Sequence, residues 1–276
     1  VKLAFNTWAY SSFPVWVPAY PLEVVVPRLA AIGYDGIEIG AASPHAYPDY
    51  TGPERRREIR RLLESNGIAL VSMLPAPGGG PGFNVSSPLP EERAAAIDQY
   101  KKVAILCAEL GGKLVLYVAG WQIFGTSREE AWNWSRAALE EVARTAAPLG
   151  ITMCVEPTSA DSNLVESADD AIRMMREVGA PNIKLMFDTY HTIYRNEVAT
   201  DYVHRFGDAL AHVHLADSNR LPPGDGTGSF RTLIETLKQT GFDGYLTMEI
   251  GFNRRDVDPD DFAQRAYDYI TRLITA

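Results

Sequence analysis

The chain has 276 residues, 46% hydrophobic and 22% charged, the balance of a folded soluble domain rather than a disordered chain. Its 35 acidic side chains against 26 basic ones leave a net charge of −9, which argues against a nucleic-acid binder, because neutralising phosphates needs a surplus of Lys and Arg. Two cysteines exclude a disulfide framework, and no apolar run is long enough to span a membrane. The first residues, VKLAFNTW, reach Asn6 before a signal-peptide core could form, so a reduced cytoplasmic protein is expected.

Short apolar runs alternate with longer amphipathic segments from end to end, the pattern of repeated βα units. Strands are predicted over 3–6, 36–40, 69–73, 113–118, 152–156, 183–188, 210–215 and 245–250. Each is followed by a predicted helix, over 22–32, 54–66, 91–110, 128–149, 167–178, 198–206, 231–240 and 262–274. Ile97, Tyr100, Ala104 and Cys107 share one helical face, as do Phe262, Ala266, Ile270 and Leu273. Gly33, Gly67, Gly111, Gly150, Gly179 and Gly241 stand where helices should stop. The related phrases GYDG (33–36) and GFDG (241–244) mark the same tight turn before the second and eighth strands. A looser stretch, 75–90, falls between the third strand and the third helix, and no linker divides the chain. Eight units of about 34 residues each predict a single (β/α)8 TIM barrel domain over 1–276 rather than a doubly wound sheet.

Strand parity then identifies the residues that face the barrel axis, because alternate side chains point to opposite faces. Ile151, Met153 and Val155 are the helix-facing set on the fifth strand, which leaves Thr152, Cys154 and Glu156 inward. The same alternation puts Asp188 inward at the end of the sixth strand. On the seventh, Ala211, Val213 and Leu215 face out and His212 and His214 face in; on the eighth, Thr247 and Glu249 face in. Cys154 reads as core filler and His212, one layer lower, as a hydrogen-bonded core histidine. Four successive strands thus carry an acid or an imidazole to the C-terminal mouth, where barrel active sites lie. Three carboxylates around one imidazole repel each other unless a cation sits among them. An oxygen-rich set with one nitrogen and no thiolate suits Mn²⁺ first, with Mg²⁺ or Co²⁺ as alternatives.

The motifs GYDGIEIG, CVEP, FDTYH, HVHLADSNR followed by PPGDG, and GYLTMEI resemble, in this order and over essentially the whole chain, the xylose isomerase-like barrel superfamily of sugar isomerases and epimerases. The likeness is greatest to its ketose 3-epimerase group, and GYDGIEI with SPHAY is also similar to fructoselysine 3-epimerase. The resemblance implies that Glu156, Asp188, His214 and Glu249 are metal ligands and that His191 and Arg220 hold substrate oxygens. It also implies a homo-oligomer, a dimer or a tetramer. Inverting a carbon beside a ketone requires removal of a weakly acidic proton and its return to the other face. A divalent cation polarises the carbonyl and stabilises the enediolate, while Glu156 and Glu249, from strands that flank the other two, exchange the proton. The chain departs from ketose 3-epimerases just after Glu156, where PTSADSN stands in place of a basic and acidic pair.

Further substrate contacts are expected from Glu38, inward on the second strand, from His45 in the following loop, and from Trp8, Trp121 and Tyr10 as apolar walls. The run ERRREIRR (54–61) reads as a solvated helix face. PPGDGTG (222–228) lacks the Lys of a P-loop and reads as a turn, which leaves phosphorylated substrates unsupported. A divalent ion would offset two of the three acid charges, and the remainder suits a neutral polyol. Two other readings compete with an epimerase or isomerase. A lyase of the inosose or 3-dehydroshikimate dehydratase type would expel a β-hydroxyl from the same enolate. An apurinic endonuclease would need extra His and Asp ligands where GDGTGS stands.

Overall fold

The second strand shows why the sheet closes: GIEIGA (36–41) is buried at all six positions, so helices cover one side and other strands the opposite one. The computed structural model describes residues 1–11, 19–75, 82–252 and 256–276. Eight parallel strands form a closed barrel in chain order: β1 (Lys2–Asn6), β2 (Gly36–Ala41), β3 (Ala69–Pro75), β4 (Leu114–Val118), β5 (Thr152–Glu156), β6 (Ile183–Asp188), β7 (Leu210–Leu215) and β8 (Tyr245–Met248). The surrounding helices are α1 (Leu22–Ile32), α2 (Pro53–Ser65), α3 (Pro90–Leu110), α4 (Arg128–Ala146), α5 (Ala168–Val178), α6 (Thr189–Tyr194), α7 (Ala199–Phe206), α8 (Phe230–Gln239) and α9 (Pro259–Thr275). The fold is therefore the predicted (β/α)8 barrel.

Two apolar layers follow from strand alternation. Ile37, Ile39, Met153, Val155, Leu185, Phe187 and Val213 join the large core between sheet and helices. Trp8, Leu74, Leu116, Cys154 and Met186 form a separate small cluster inside the barrel, so Cys154 is core filler as its parity required.

Most element bounds shift by one to three residues from the sequence reading, and three differences bear on the site or its surroundings. β8 ends at Met248, and Glu249 lies one residue beyond it, with its N–H still donating to the Leu215 carbonyl at 3.2 Å. The fourth helix stops at Ala146 and finishes as a 3₁₀ turn over Ala147–Leu149. The short helix α6, absent from the predicted elements, starts because the Asp188 carboxylate accepts from the Tyr190 N–H at 2.8 Å and caps it. Part of the loose stretch 75–90 lies outside the described residues.

Two register shifts interrupt the alternation. Ile37 pairs with Leu70 but Glu38 with Ser72, so Val71 is the extra residue of a bulge. Likewise Leu185 pairs with Leu210 but Met186 with His212, which leaves Ala211 bulged. Ala211 accordingly packs against the inner cluster instead of facing the helices, a correction to the strict alternation read from sequence. Both bulges lie below the mouth and set the height of the polar residues above them.

Candidate metal centre

At the C-terminal mouth, Glu156 closes β5, Asp188 closes β6, His214 precedes the last residue of β7, and Glu249 follows β8. All four are buried, and one ligand atom from each lies within 4.8 Å of the others. His214 Nδ1 stands 3.7 Å from Glu156 Oε1 and 3.2 Å from Glu249 Oε2. Ligands about 2.0–2.2 Å from a common ion fall at such mutual distances. Two of these buried atoms, Glu156 Oε1 and His214 Nδ1, have no hydrogen-bond partner, the state expected of atoms reserved for a cation. The group therefore fits a divalent metal, and the buried Glu, Asp and His cluster could hold one.

Arg220 supplies the positive charge already present. Its Nη1 donates to Asp188 Oδ2 and, at 2.9 Å, to Glu249 Oε2. The guanidinium lies against the rings of Tyr190 (4.1 Å) and Phe252 (4.9 Å). Its backbone is held in the left-handed region, as is that of Asn219, with φ of 57° and 58°. Such conformations cost energy in non-glycine residues and persist where surrounding contacts fix them; here the Gly251 N–H donates to the Arg220 carbonyl at 2.9 Å.

The carboxyls respond unequally. Burial, with Glu249 and Asp188 nearby, pushes Glu156 well up. Burial would raise Glu249 too, but Arg220 and His214 hold it below the usual carboxylate range. Burial raises Asp188 against the pull of Arg220. A cation among them would draw all three down.

The remaining candidates fall into two groups. His191, on α6, joins the site: its Nδ1 accepts from the Ala160 N–H at 3.2 Å and its Nε2 lies 3.6 Å from Asp161. Burial and Arg220 keep this imidazole neutral, with its pKa well below the usual value. Trp121 is half-buried beside a cavity of about 590 Å³ that also touches Ser159, Asp161, Asn163 and Tyr194. Trp8 is buried on the inner cluster.

His45 instead uses both ring nitrogens internally, Nδ1 with Thr7 Oγ1 at 3.0 Å and Nε2 with the Tyr20 carbonyl at 2.8 Å, so it braces the loop after β1. Tyr10 is no wall for a sugar, because it is fully buried and donates to Asp260 at 2.8 Å. Glu38 lies wholly inside the barrel beneath His214 and has no surface at the mouth.

Two residues escaped the sequence reading. Asp161 lies 3.6 Å from both Arg220 Nη2 and His191 Nε2, within the segment that departs from the ketose 3-epimerase pattern. Asp217, fully buried, accepts from the backbone N–H groups of Ser218, Gly224, Gly226 and Gly228 at 2.7–3.0 Å. A Cβ on Gly226 would lie 2.5 Å from Asp217 Oδ1, which explains the glycine there. This folds 222–228 onto Asp217, a turn as predicted, and leaves those amides engaged. Asp217→Ala removes the acceptor for four backbone donors, those of the half-buried Ser218 and Gly228 and of the exposed Gly224 and Gly226. The expected cost is about 2–4 kcal/mol, or a Tm fall of roughly 4–16 °C; an unchanged melting curve would refute the anchoring role.

A (β/α)8 barrel with an acid and imidazole set converging at its C-terminal mouth defines a class of barrel able to hold a divalent metal there. The profile of the xylose isomerase-like TIM barrel family matches residues 26–273, and the chain belongs to that family. It is 26% identical over 236 residues to fructoselysine 3-epimerase of Escherichia coli O157:H7, covering 83% of this chain and 86% of that one. It is 29% identical over 235 residues to D-psicose 3-epimerase of Ruminiclostridium cellulolyticum, covering 81% of this chain and 76% of the relative. The fold superposes on the crystal structure of D-psicose 3-epimerase with D-tagatose from Clostridium cellulolyticum H10 with a TM-score of 0.83, at 25% identity and over 99% of both chains. Among the described residues, no helix is long and apolar enough to cross a membrane.

Proposed function

We propose that the chain is a divalent-metal-dependent sugar epimerase that inverts C3 of a non-phosphorylated ketose or ketose derivative. The observation that carries this reading is the buried quartet Glu156, Asp188, His214 and Glu249 with its unpartnered ligand atoms. The epimerases named above support the reaction class over dehydration. An oxygen-rich set without thiolate favours Mn²⁺, with Mg²⁺ or Co²⁺ able to replace it. When bound, the ion would polarise the ketone and stabilise negative charge on the neighbouring oxygens.

The protein's own groups do the rest. Glu156 and Glu249 approach from strand ends on either side of β6 and β7, so one can remove the C3 proton and the other return one to the opposite face. His191 and Arg220 orient substrate oxygens, while Trp121 offers apolar surface to the sugar. The amides of Gly224, Gly226 and Gly228 are committed to Asp217, which favours an uncharged substrate over a phosphate ester.

The test is incubation of Mn²⁺-loaded protein with a panel of ketoses and inososes in D₂O. Deuterium at C3 with inversion is the expected result. Water loss would support the lyase, and no exchange with any substrate would count against the enolate mechanism.

A further inference from the structure

One buried carboxylate has no task in the reaction just proposed. Glu38 sits at 0% exposure in the barrel interior with His212 and His214, and its strand faces β7 across the barrel. His214 Nε2 lies 3.0 and 3.1 Å from its two oxygens. We propose that Glu38 is the positioning residue that turns His214 so that Nδ1, not Nε2, is offered to the cation. This rests on the metal reading above.

The hydrogen-bond inventory leaves one arrangement. An ionised carboxylate only accepts, so the nitrogen beside it must carry the proton. In a neutral imidazole with Nε2–H, the lone pair is on Nδ1, the atom that faces Glu156 and Glu249 without a hydrogen-bond partner. Glu38 is itself fixed by two donors, Asn6 Nδ2 at 2.5 Å and Ser72 Oγ at 2.6 Å. The second depends on the bulge at Val71, which places Ser72 rather than Val71 opposite Glu38. With Asn6 donating to Oε1 and Ser72 to Oε2, both oxygens of the carboxylate are held as acceptors. His212 meets the His214 ring edge to face, with centroids 5.0 Å apart, which limits rotation of the ligand ring. A strut of residues from β1, β2 and β3 thus crosses the barrel and orients a residue on β7. Outer hydrogen bonds of this kind are worth about 10–100-fold in metal affinity.

Glu38, His212 and His214 also lie close enough to hold an ion themselves. That arrangement would require His214 to ligate through both nitrogens as an imidazolate, and Glu38 already accepts from Asn6 and Ser72. One ion per chain is therefore expected.

Titration calorimetry of metal-free protein with Mn²⁺ tests the proposal. Wild type should bind one ion per chain. Glu38→Gln, which keeps shape but removes the charge, should bind about 10–100-fold more weakly while its circular dichroism remains that of the wild type. Ser72→Ala removes one support and keeps the carboxylate, so it carries the test if Glu38→Gln does not fold; its affinity should fall by a smaller factor, about 3–10-fold. A merely structural Glu38 would leave the affinity of folded variants unchanged. Wild-type affinity in every folded variant, or two ions per chain, would overturn the role of Glu38 and leave the metal reading standing. Failure of the wild type to bind Mn²⁺ would overturn both.

Discussion

Glu156→Gln and Glu249→Gln should each lower turnover by about 10³-fold or more while the folded protein keeps measurable Mn²⁺ binding. General acid–base catalysis is worth about 10²–10⁴-fold, and an amide cannot take or deliver the C3 proton. Gln retains one carbonyl oxygen in the position of a carboxylate oxygen, so the ligand set is weakened rather than lost. The two variants should differ in stability, which separates a proton-transfer defect from a folding defect. Glu156 is pushed towards its neutral form by burial and by Glu249 and Asp188, so Gln there should leave Tm unchanged or raise it. Glu249 is held ionised against burial by Arg220 and His214, and its loss should lower Tm. Steady-state turnover, calorimetric Mn²⁺ titration and melting curves check all three points. Wild-type turnover in either variant would remove that residue from the chemistry.

The quartet was legible in sequence because alternation holds along β5, β6 and β8, and because the β7 bulge at Ala211 comes before His212 and His214. Had the extra residue fallen between those histidines, they would face opposite sides although alternation reads both as inward. The Glu38–Ser72 contact had no such signal, since it exists only through a bulge that nothing in LVSML announces. His45 and Tyr10 were placed correctly near the start of the barrel loops but not oriented. Their partners Tyr20 and Asp260 come from segments whose approach depends on packing. Helix α6 could have been found from Asp188, an N-cap residue in FDTYH, but alternation and the family resemblance point that carboxylate inward as a ligand and say nothing of its capping role. Arg220 was expected to touch substrate; its contact with two of the carboxylates requires consecutive non-glycine residues in the left-handed region, which no residue pattern specifies.

That contact changes the charge balance of the mouth and carries the largest stability effect. Counting acids alone, a divalent ion leaves one negative charge uncompensated. Arg220 cancels it, so the three ligand carboxylates, the ion and Arg220 sum to zero, and the adjacent Asp161 and Glu38 add only negative charge, which argues for an uncharged sugar over a phosphate ester. Before an ion binds, Arg220 is, among the described residues, the one Lys or Arg that touches both Asp188 and Glu249. Arg220→Met keeps apolar contact with Tyr190 and Phe252 but leaves both carboxylates buried without their partner. Breaking a buried pair in this way costs about 3–5 kcal/mol, a Tm fall of roughly 6–20 °C for the metal-free protein. Mn²⁺ should then raise Tm by more in the variant than in the wild type, because the ion supplies charge that the variant lacks. Arg220→Lys should recover only part of the loss, since an ammonium cannot match the forked donors of the guanidinium or its contact with the rings of Tyr190 and Phe252. Turnover should remain depressed in both variants even at saturating Mn²⁺, because restoring the charge does not restore an oriented donor for the substrate oxygen. Equal melting temperatures for metal-free wild type and Arg220→Met would show that the guanidinium does not stabilise the acid cluster.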